Sequence, residues 1–220
     1  MKAGSGLLNE AQRQLLLRWW QALQPEQADG EMKPPSSNAE RPFGYLGRGA
    51  RARLKRCHSA VELLMEPAVL SLAKMLIAAG HGKWPIPEEP LSYERIAWMA
   101  GVLALVKEDA HDGKSLAWRL GNAMPRQGNS PAMSELRFRR LQRTQIKSDL
   151  FMQWRRAVLQ VEKKVDVSAL GEDLLAWLAE AERYVSPSQS VKFRWAHDYY
   201  LTEKDQDNAS FGDEHKEKAE

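Results

Sequence analysis

Residues 134–164 read SELRFRRLQRTQIKSDLFMQWRRAVLQVEKK. Two helices are legible in this stretch. Ser134 is a helix N-cap with Glu135 in the first turn, and Ser148 with Asp149 repeats the start signal. In the second helix Leu150, Trp154, Ala157, Val158 and Val161 fall at i, i+4, i+7, i+8 and i+11, one continuous apolar stripe that must be buried. In the first helix Leu136, Phe138 and Leu141 supply the apolar contacts, while Arg137, Arg140 and Arg143 recur every three residues as a neighbouring basic ridge. Between Ser134 and Arg156 there are seven basic residues, Arg137, Arg139, Arg140, Arg143, Lys147, Arg155 and Arg156, against the two acids Glu135 and Asp149. The stretch therefore predicts a helix hairpin, apolar on one side and arginine-rich on the other.

Outward from the hairpin the chain keeps the helical period. Towards the N-terminus, Asn9 with Gln12 forms a capping box that opens a helix through Leu8, Ala11, Leu15, Trp19, Ala22 and Leu23 to about Gln24. Residues 25–49 hold prolines and glycines without periodicity and read as a long surface loop. Ala50–Cys57 and Ser59–Met65 follow as short helices, with Ser59 and Glu62 as a second capping box. Pro67 then opens a helix closed by Gly80. Arg53, Lys55 and Arg56 form a second basic cluster here. A proline-rich turn, residues 81–91, precedes a helix capped by Ser92 and carrying Ile96, Met99, Ala100, Leu103 and Val106. Lys107–Lys114 is polar and reads as a hinge, and Ser115–Ala123 is a short helix bearing Leu116, Arg119 and Leu120. The loop 122–133 delivers Arg126 towards the hairpin. Beyond the hairpin, Ser168 caps a helix through Leu170, Leu174, Trp177, Leu178 and Ala181. Ser186 and Pro187 open the last helix, with Val191, Trp195 and Tyr199 on one face.

No useful strand alternation appears, so the fold class is all-α: two small helical bundles, residues 1–108 and 114–203, joined by a short polar hinge. Residues 204–220 lack periodicity and read as a disordered acidic tail. The 220 residues include eight tryptophans, of which Trp19, Trp154, Trp177 and Trp195 lie on apolar stripes and are assigned to the core. The single cysteine, Cys57, excludes an intramolecular disulfide and suits a reducing cytoplasm. No apolar run approaches the roughly twenty residues of a membrane span, and no secretory signal stands at the N-terminus. Net charge is +3, but residues 203–220 carry −4, which leaves +7 on residues 1–202. A basic body concentrated in one hairpin favours polyanionic partners.

Several stretches, taken in order, resemble one family. They are the Trp-bearing LLLRWWQAL (Leu15–Leu23), the basic turn and Pro-initiated helix ARARLKRCHSAVELLMEPAVLSL (Ala50–Leu72), and a Ser-Leu-x-x-x-Leu helix (Ser115–Leu120). Next come the spacing of Arg137, Leu141, Arg143 and Leu150, the Arg155–Arg156 pair, Leu-Leu-x-Trp (Leu174–Trp177) and the Arg-Trp-containing terminal helix (Val191–Tyr200). The order is similar to the CasB family, the small subunit of Cascade, the RNA-guided surveillance complex of type I-E CRISPR systems. The loop 25–49 and the acidic tail depart from that pattern, as does Ala117-Trp118-Arg119 where a Gly-Arg-Ala type sequence is expected.

The resemblance implies a non-catalytic, two-domain helical subunit without a cofactor, present as a pair and assembled with the other Cascade subunits. It implies contact with guide RNA, the target strand and the displaced DNA strand through phosphates, base pairing being left to read the sequence. The resemblance and the basic clusters together point to Lys55, Arg56, Arg119, Arg137, Arg140, Arg143, Lys147, Arg155 and Arg156, with Arg140 and Lys147 entering as extensions of the basic ridge. Arginine suits such contacts because its planar fork takes two phosphate oxygens at once. Two other readings compete. One is a helical scaffold whose charges meet acidic protein surfaces. The other is a metal-dependent phosphohydrolase built on His111-Asp112, with His58, Asp149 or Asp166 drafted as further ligands.

Deletion of residues 206–220 is expected to leave helix content and melting temperature unchanged, because a charged segment without apolar periodicity buries little surface. Circular dichroism of the truncated chain checks this, and a marked loss of stability would show that the tail docks.

Overall fold

The computed structural model describes residues 7–25, 42–80, 90–122, 130–182 and 184–201. Most of the loop 25–49 and of the turn 81–91, the segment bearing Arg126 and the acidic tail lie outside the described residues. Among those described, ten helices run in the order α1 (Glu10–Ala22), α2 (Gly47–Arg56), α3 (Ala60–Leu64), α4 (Pro67–Ala79), α5 (Pro90–Leu103), α6 (Leu116–Gly121), α7 (Glu135–Arg143), α8 (Lys147–Gln160), α9 (Val167–Glu180) and α10 (Val191–Tyr200). No helix among the described residues is long and apolar enough to cross a membrane.

The first helix shows why period alone sets a helix's phase only approximately. The capping box is present: Gln12 N–H donates to Asn9 Oδ1 and Asn9 N–H to Gln12 Oε1, both at 2.9 Å. The buried face, however, carries Gln12, Leu16, Trp19 and Trp20, whereas Ala11 is exposed and Leu15 only half-buried. Gln12 is accepted into the core because its Nε2 also donates to Leu76 O at 2.9 Å, closing the α4 end as well. Gly80 makes room for that amide, since a Cβ there would meet Gln12 Nε2 at 2.3 Å.

Other starts and stops differ from the sequence expectation for local reasons. Ser59 accepts from Glu62 N–H at 3.2 Å, but the Glu62 carboxylate takes His58 N–H rather than closing a box on Ser59. The fifth helix begins at Pro90, ahead of Ser92. Neither Ser134 nor Ser148 makes a capping bond, and α8 starts already at Lys147. Asp166, not Ser168, caps α9, accepting from Ala169 N–H at 2.8 Å; a carboxylate at a helix start also complements the helix dipole. Ser186 and Pro187 open only a 3-10 turn (Pro187–Gln189), and Ser190 caps α10 by accepting from Phe193 N–H at 3.1 Å. Leu136 is 80 % exposed and contributes nothing to the core. It lies roughly 160° around the helix from Phe138, at about 100° per residue.

The polar segment 107–114 contains a short strand, β1 (Glu108–Asp109), which pairs in parallel with β2 (Lys164–Val165). The turn before β2 places Glu162 and Lys163 in the left-handed region, at φ 55° and 65°. That turn lets Lys163 O accept from both Lys107 N–H and Glu108 N–H. Helix α5 packs against α3, α4, α8 and α9, and α1 against α4 and α9. One apolar cluster accordingly runs from Leu8 to Tyr199. Trp154, Trp177 and Trp195 meet edge to face within it, with centroids 5.8 Å and 5.0 Å apart. Trp195 Nε1 donates to Asp173 Oδ2 at 2.7 Å and Trp19 Nε1 to Ala68 O at 2.9 Å, which satisfies these two rings, whereas Trp154 Nε1 is buried without a hydrogen-bond partner among the described residues.

Two side chains decide how the hairpin sits. On one side, Phe138 of α7 stacks on Tyr199 of α10 at 4.0 Å. On the other, Arg155 of α8, 8 % exposed, donates to Cys57 O at 2.6 Å and to Lys55 O, satisfying carbonyls at the C-terminal end of α2.

Two outcomes follow from this packing. Arg155→Ala should lower unfolding free energy by on the order of 3 kcal/mol in urea denaturation, since it strands a buried carbonyl, Cys57 O, and a partly buried one, Lys55 O, while Arg156→Ala should stay within about 0.5 kcal/mol of the parent. Equal effects would contradict the structural role of Arg155. Burial raises the Asp173 carboxyl to about 6, with the Trp195 hydrogen bond and the Arg194 charge opposing the shift. Between the ordinary carboxylate range near 4 and that value, the folded state holds a proton that the unfolded state has lost. Stability relative to Asp173→Asn should therefore fall as pH rises across this window and level off above it. A flat difference from pH 4 to 7 would contradict this.

Candidate nucleic-acid interface

Residues of α7 and α8, with Met133 ahead of α7, line a groove of about 670 Å³. Its lining includes Arg137 and Arg140 from α7 and Arg156 from α8, together with Asp149, the single acid of the lining. The three guanidinium groups are on exposed residues, and none is held in an ion pair with another described residue. Three cations against one carboxylate, with water free to be displaced, make an anion-accepting surface.

The remaining candidates are placed differently, and helical phase explains most of it. Consecutive residues on a helix point about 100° apart, so Arg155 and Arg156 cannot share a face. Arg155 turns inward to α2, and burial lowers its affinity for a proton. It lies apart from the groove. A repeat of three residues drifts by about 60° per step, so the ridge Arg137, Arg140, Arg143 rotates around α7. Arg143 ends exposed at the helix C-terminus, on the side of Leu136 and outside the groove lining. Lys147 is bound to Glu182 at 3.1 Å and Glu94 at 3.6 Å, in a network that also holds Arg95. Glu182 is partly desolvated, yet the bonds from Arg95 and Lys147 outweigh this and hold its carboxyl below the usual range. Arg119 is committed to Asp112, with both carboxylate oxygens at 2.6 Å.

Lys55 and Arg56 lie in the last turn of α2, where cations complement the helix dipole. Burial, and then the charges of Arg51 and Lys163, push the Lys55 ammonium down. Arg56 is exposed at the end of the same helix. Arg139, outside the candidate set, pairs with Glu135 and with the Tyr200 hydroxyl.

Of the residues drafted for metal chemistry, Asp112, Asp166 and His111 have other partners, and Asp149 lies in the groove lining. The Asp112 carboxyl, partly desolvated, is nonetheless held low by Arg119. Asp166 caps α9 and accepts from Gly113 N–H at 2.8 Å. His111 sits in a left-handed turn with Nε2 3.3 Å from Asp109 Oδ2. No group of three or more His, Cys, Asp or Glu residues among the described residues could hold a metal ion.

Five lining residues escaped the sequence reading: Met133, Met152, Gln153, Leu159 and Gln160. A signal for part of this set was present. Asp149, Gln153, Arg156 and Gln160 recur at i, i+4, i+7 and i+11, a polar stripe directly beside the apolar one. Its meaning depends on where α7 stands, which α8 alone does not tell.

Comparison with known proteins agrees with this architecture. The crystal structure of CasB from Thermus thermophilus superimposes with a TM-score of 0.50 at 24 % identity, covering 86 % of this chain and 98 % of that one, which shows a shared fold. No curated protein matches the chain. A family profile described as CRISPR-associated protein Cse2 matches residues 50–200, well over half of the sequence and including every element that builds the groove, and the chain belongs to that family.

Proposed function

We propose that this protein is the non-catalytic small subunit of a type I-E Cascade complex, and that it grips nucleic-acid backbones by charge. The observation that carries the reading is the convergence of Arg137, Arg140 and Arg156, from two helices, on one groove with Asp149 as its only acid. Membership of the Cse2 family supplies the setting. Guide RNA, target strand and displaced strand are the polyanions available there, and the other Cascade subunits and a second copy of this chain are its protein partners. Arg143 and the Lys55–Arg56 pair extend the positive surface beyond the groove, while Arg155, Arg119 and Lys147 support it by fixing helices. The commitment of Asp112 to Arg119 and of Asp166 to the α9 cap favours a binding role over hydrolysis. Phosphate contacts position a strand without reading its bases, so no sequence preference accompanies them.

The test is the triple variant Arg137→Ala, Arg140→Ala, Arg156→Ala in the assembled complex. Each arginine on a single strand contributes roughly 0.7 to the slope of log affinity against log salt, so the slope should flatten by about 2. Affinity for the displaced strand should fall similarly for unrelated sequences, with melting temperature unchanged. A folded, assembled variant that keeps the parental slope would refute the assignment.

A further inference from the structure

The groove between α7 and α8 has more in it than a phosphate track requires. Cations along a convex helix face suffice to neutralise a backbone, and an apolar recess adds nothing to that. Here the lining includes Met133 and Leu141, which are 5 % and 1 % exposed, and, nearer the rim, Met152 and Leu159, the latter 48 % exposed. Leaving Leu159 in water carries a hydrophobic cost that a ligand's apolar surface would remove. The volume of about 670 Å³ falls within the range of roughly 300–1,000 Å³ found for small-molecule sites.

We propose that this groove takes one unpaired nucleotide, its base set against Met133, Met152 and Leu159 and its flanking phosphates held by Arg137, Arg140 and Arg156. The inference rests on the backbone-binding reading above and goes beyond it by assigning a place to the base. Methionine sulfur is polarisable and makes favourable contacts with aromatic rings, so a Met-lined recess can receive a base of any identity. Two amides stand in the same lining. Gln153 is oriented by donating from Nε2 to Thr144 Oγ1 at 2.6 Å. Gln160 lines the groove too, but its Oε1 is buried without a hydrogen-bond partner and is closed to a ligand. With Asp149, Gln153 can meet the polar edge of a base. Base pairs stacked in a duplex cannot enter a recess between two helices, so the ligand is a single strand with a base free to leave the stack. An acidic peptide would satisfy the arginines, but it offers no flat aromatic ring at each charged repeat.

The experiment uses the full-length chain at low ionic strength and two fluorescent strands of equal length, one bearing bases and one made entirely of abasic nucleotides. Both carry the same phosphates, so a backbone track binds them alike. A base slot should favour the base-bearing strand by up to roughly tenfold, the worth of a methionine sulfur set against an aromatic ring. The double variant Met152→Ser, Leu159→Ser should abolish that preference while leaving the salt slope unchanged. Both residues are on the groove side of α8, and a melting curve verifies that the variant is folded. Equal affinity for the two strands, with a slope still sensitive to Arg137, Arg140 and Arg156, would overturn the slot and leave the backbone reading standing. Binding of neither strand would overturn both. Equal affinity together with displacement by an acidic peptide of matching charge would mark the groove as a protein-docking surface and likewise overturn the slot.

Discussion

The Arg155 guanidinium is the link on which the arrangement of this molecule depends. It joins the C-terminal end of α2 to the middle of α8 by donating to the carbonyls of Lys55 and Cys57. A helix end leaves carbonyls without intrahelical partners, and a buried carbonyl without a donor is costly. A donor therefore has to arrive from somewhere, and a long, always-charged side chain from a neighbouring helix is one of the few that can reach two carbonyls at once. Once Arg155 is committed, the rotation of α8 is set, and Arg156 has to emerge about 100° further round. The groove's cation is thus positioned by the burial of its neighbour.

The other wall of the groove is set by an aromatic contact. Phe138 stacks on Tyr199 and meets Tyr200 edge-on at 6.1 Å, which ties α7 to α10. Tyr199 in turn donates its hydroxyl to Met133 O at 2.7 Å, anchoring the entry to α7. At Gly121 the backbone of α10 comes so near α6 that a Cβ would lie 2.2 Å from Tyr199 O, so only glycine permits this docking. The two hairpin helices touch each other but also answer to different neighbours, α8 to α2, α5 and α6, and α7 to α10, and the groove lies between them.

Charge within the molecule is sorted along the same lines. Arginines and lysines that reach an acid or a carbonyl act as structural ties: Arg95 and Lys147 to Glu182, Arg119 to Asp112, Arg51 to Ala104 O at 3.0 Å. Of the hairpin arginines that meet no acid, Arg137, Arg140 and Arg156 converge on the groove, while Arg143 stays outside its lining. Ion pairs at partly exposed positions contribute little stability individually, but each removes a cation from the pool available to a ligand. The positively charged surface of the groove is what remains after internal pairing, and it is smaller than the basic composition of the hairpin suggests.

The sequence by itself determined the all-helical class, the sites of most helices, the burial of Trp19, Trp154, Trp177 and Trp195, and the family. Helical period, capping residues and the order of loosely spaced motifs are local properties, and local properties survive without knowledge of the neighbours. It also located the basic hairpin correctly in the chain. Which arginines of that hairpin line the groove was decided only by tertiary structure. A spacing of three residues drifts around the helix, an adjacent pair splits between two faces, and nothing in RFRRLQR or WRRAV states which face another helix will cover. Gln12 replaced a neighbouring apolar residue in the core because a distant carbonyl, Leu76 O, lay within reach. Arg155 left the surface because two carbonyls nearly a hundred positions away in the chain needed donors. In each case the deciding energy is the pairing of a buried polar group with a partner remote in sequence, and such a partner exists only once the chain has folded.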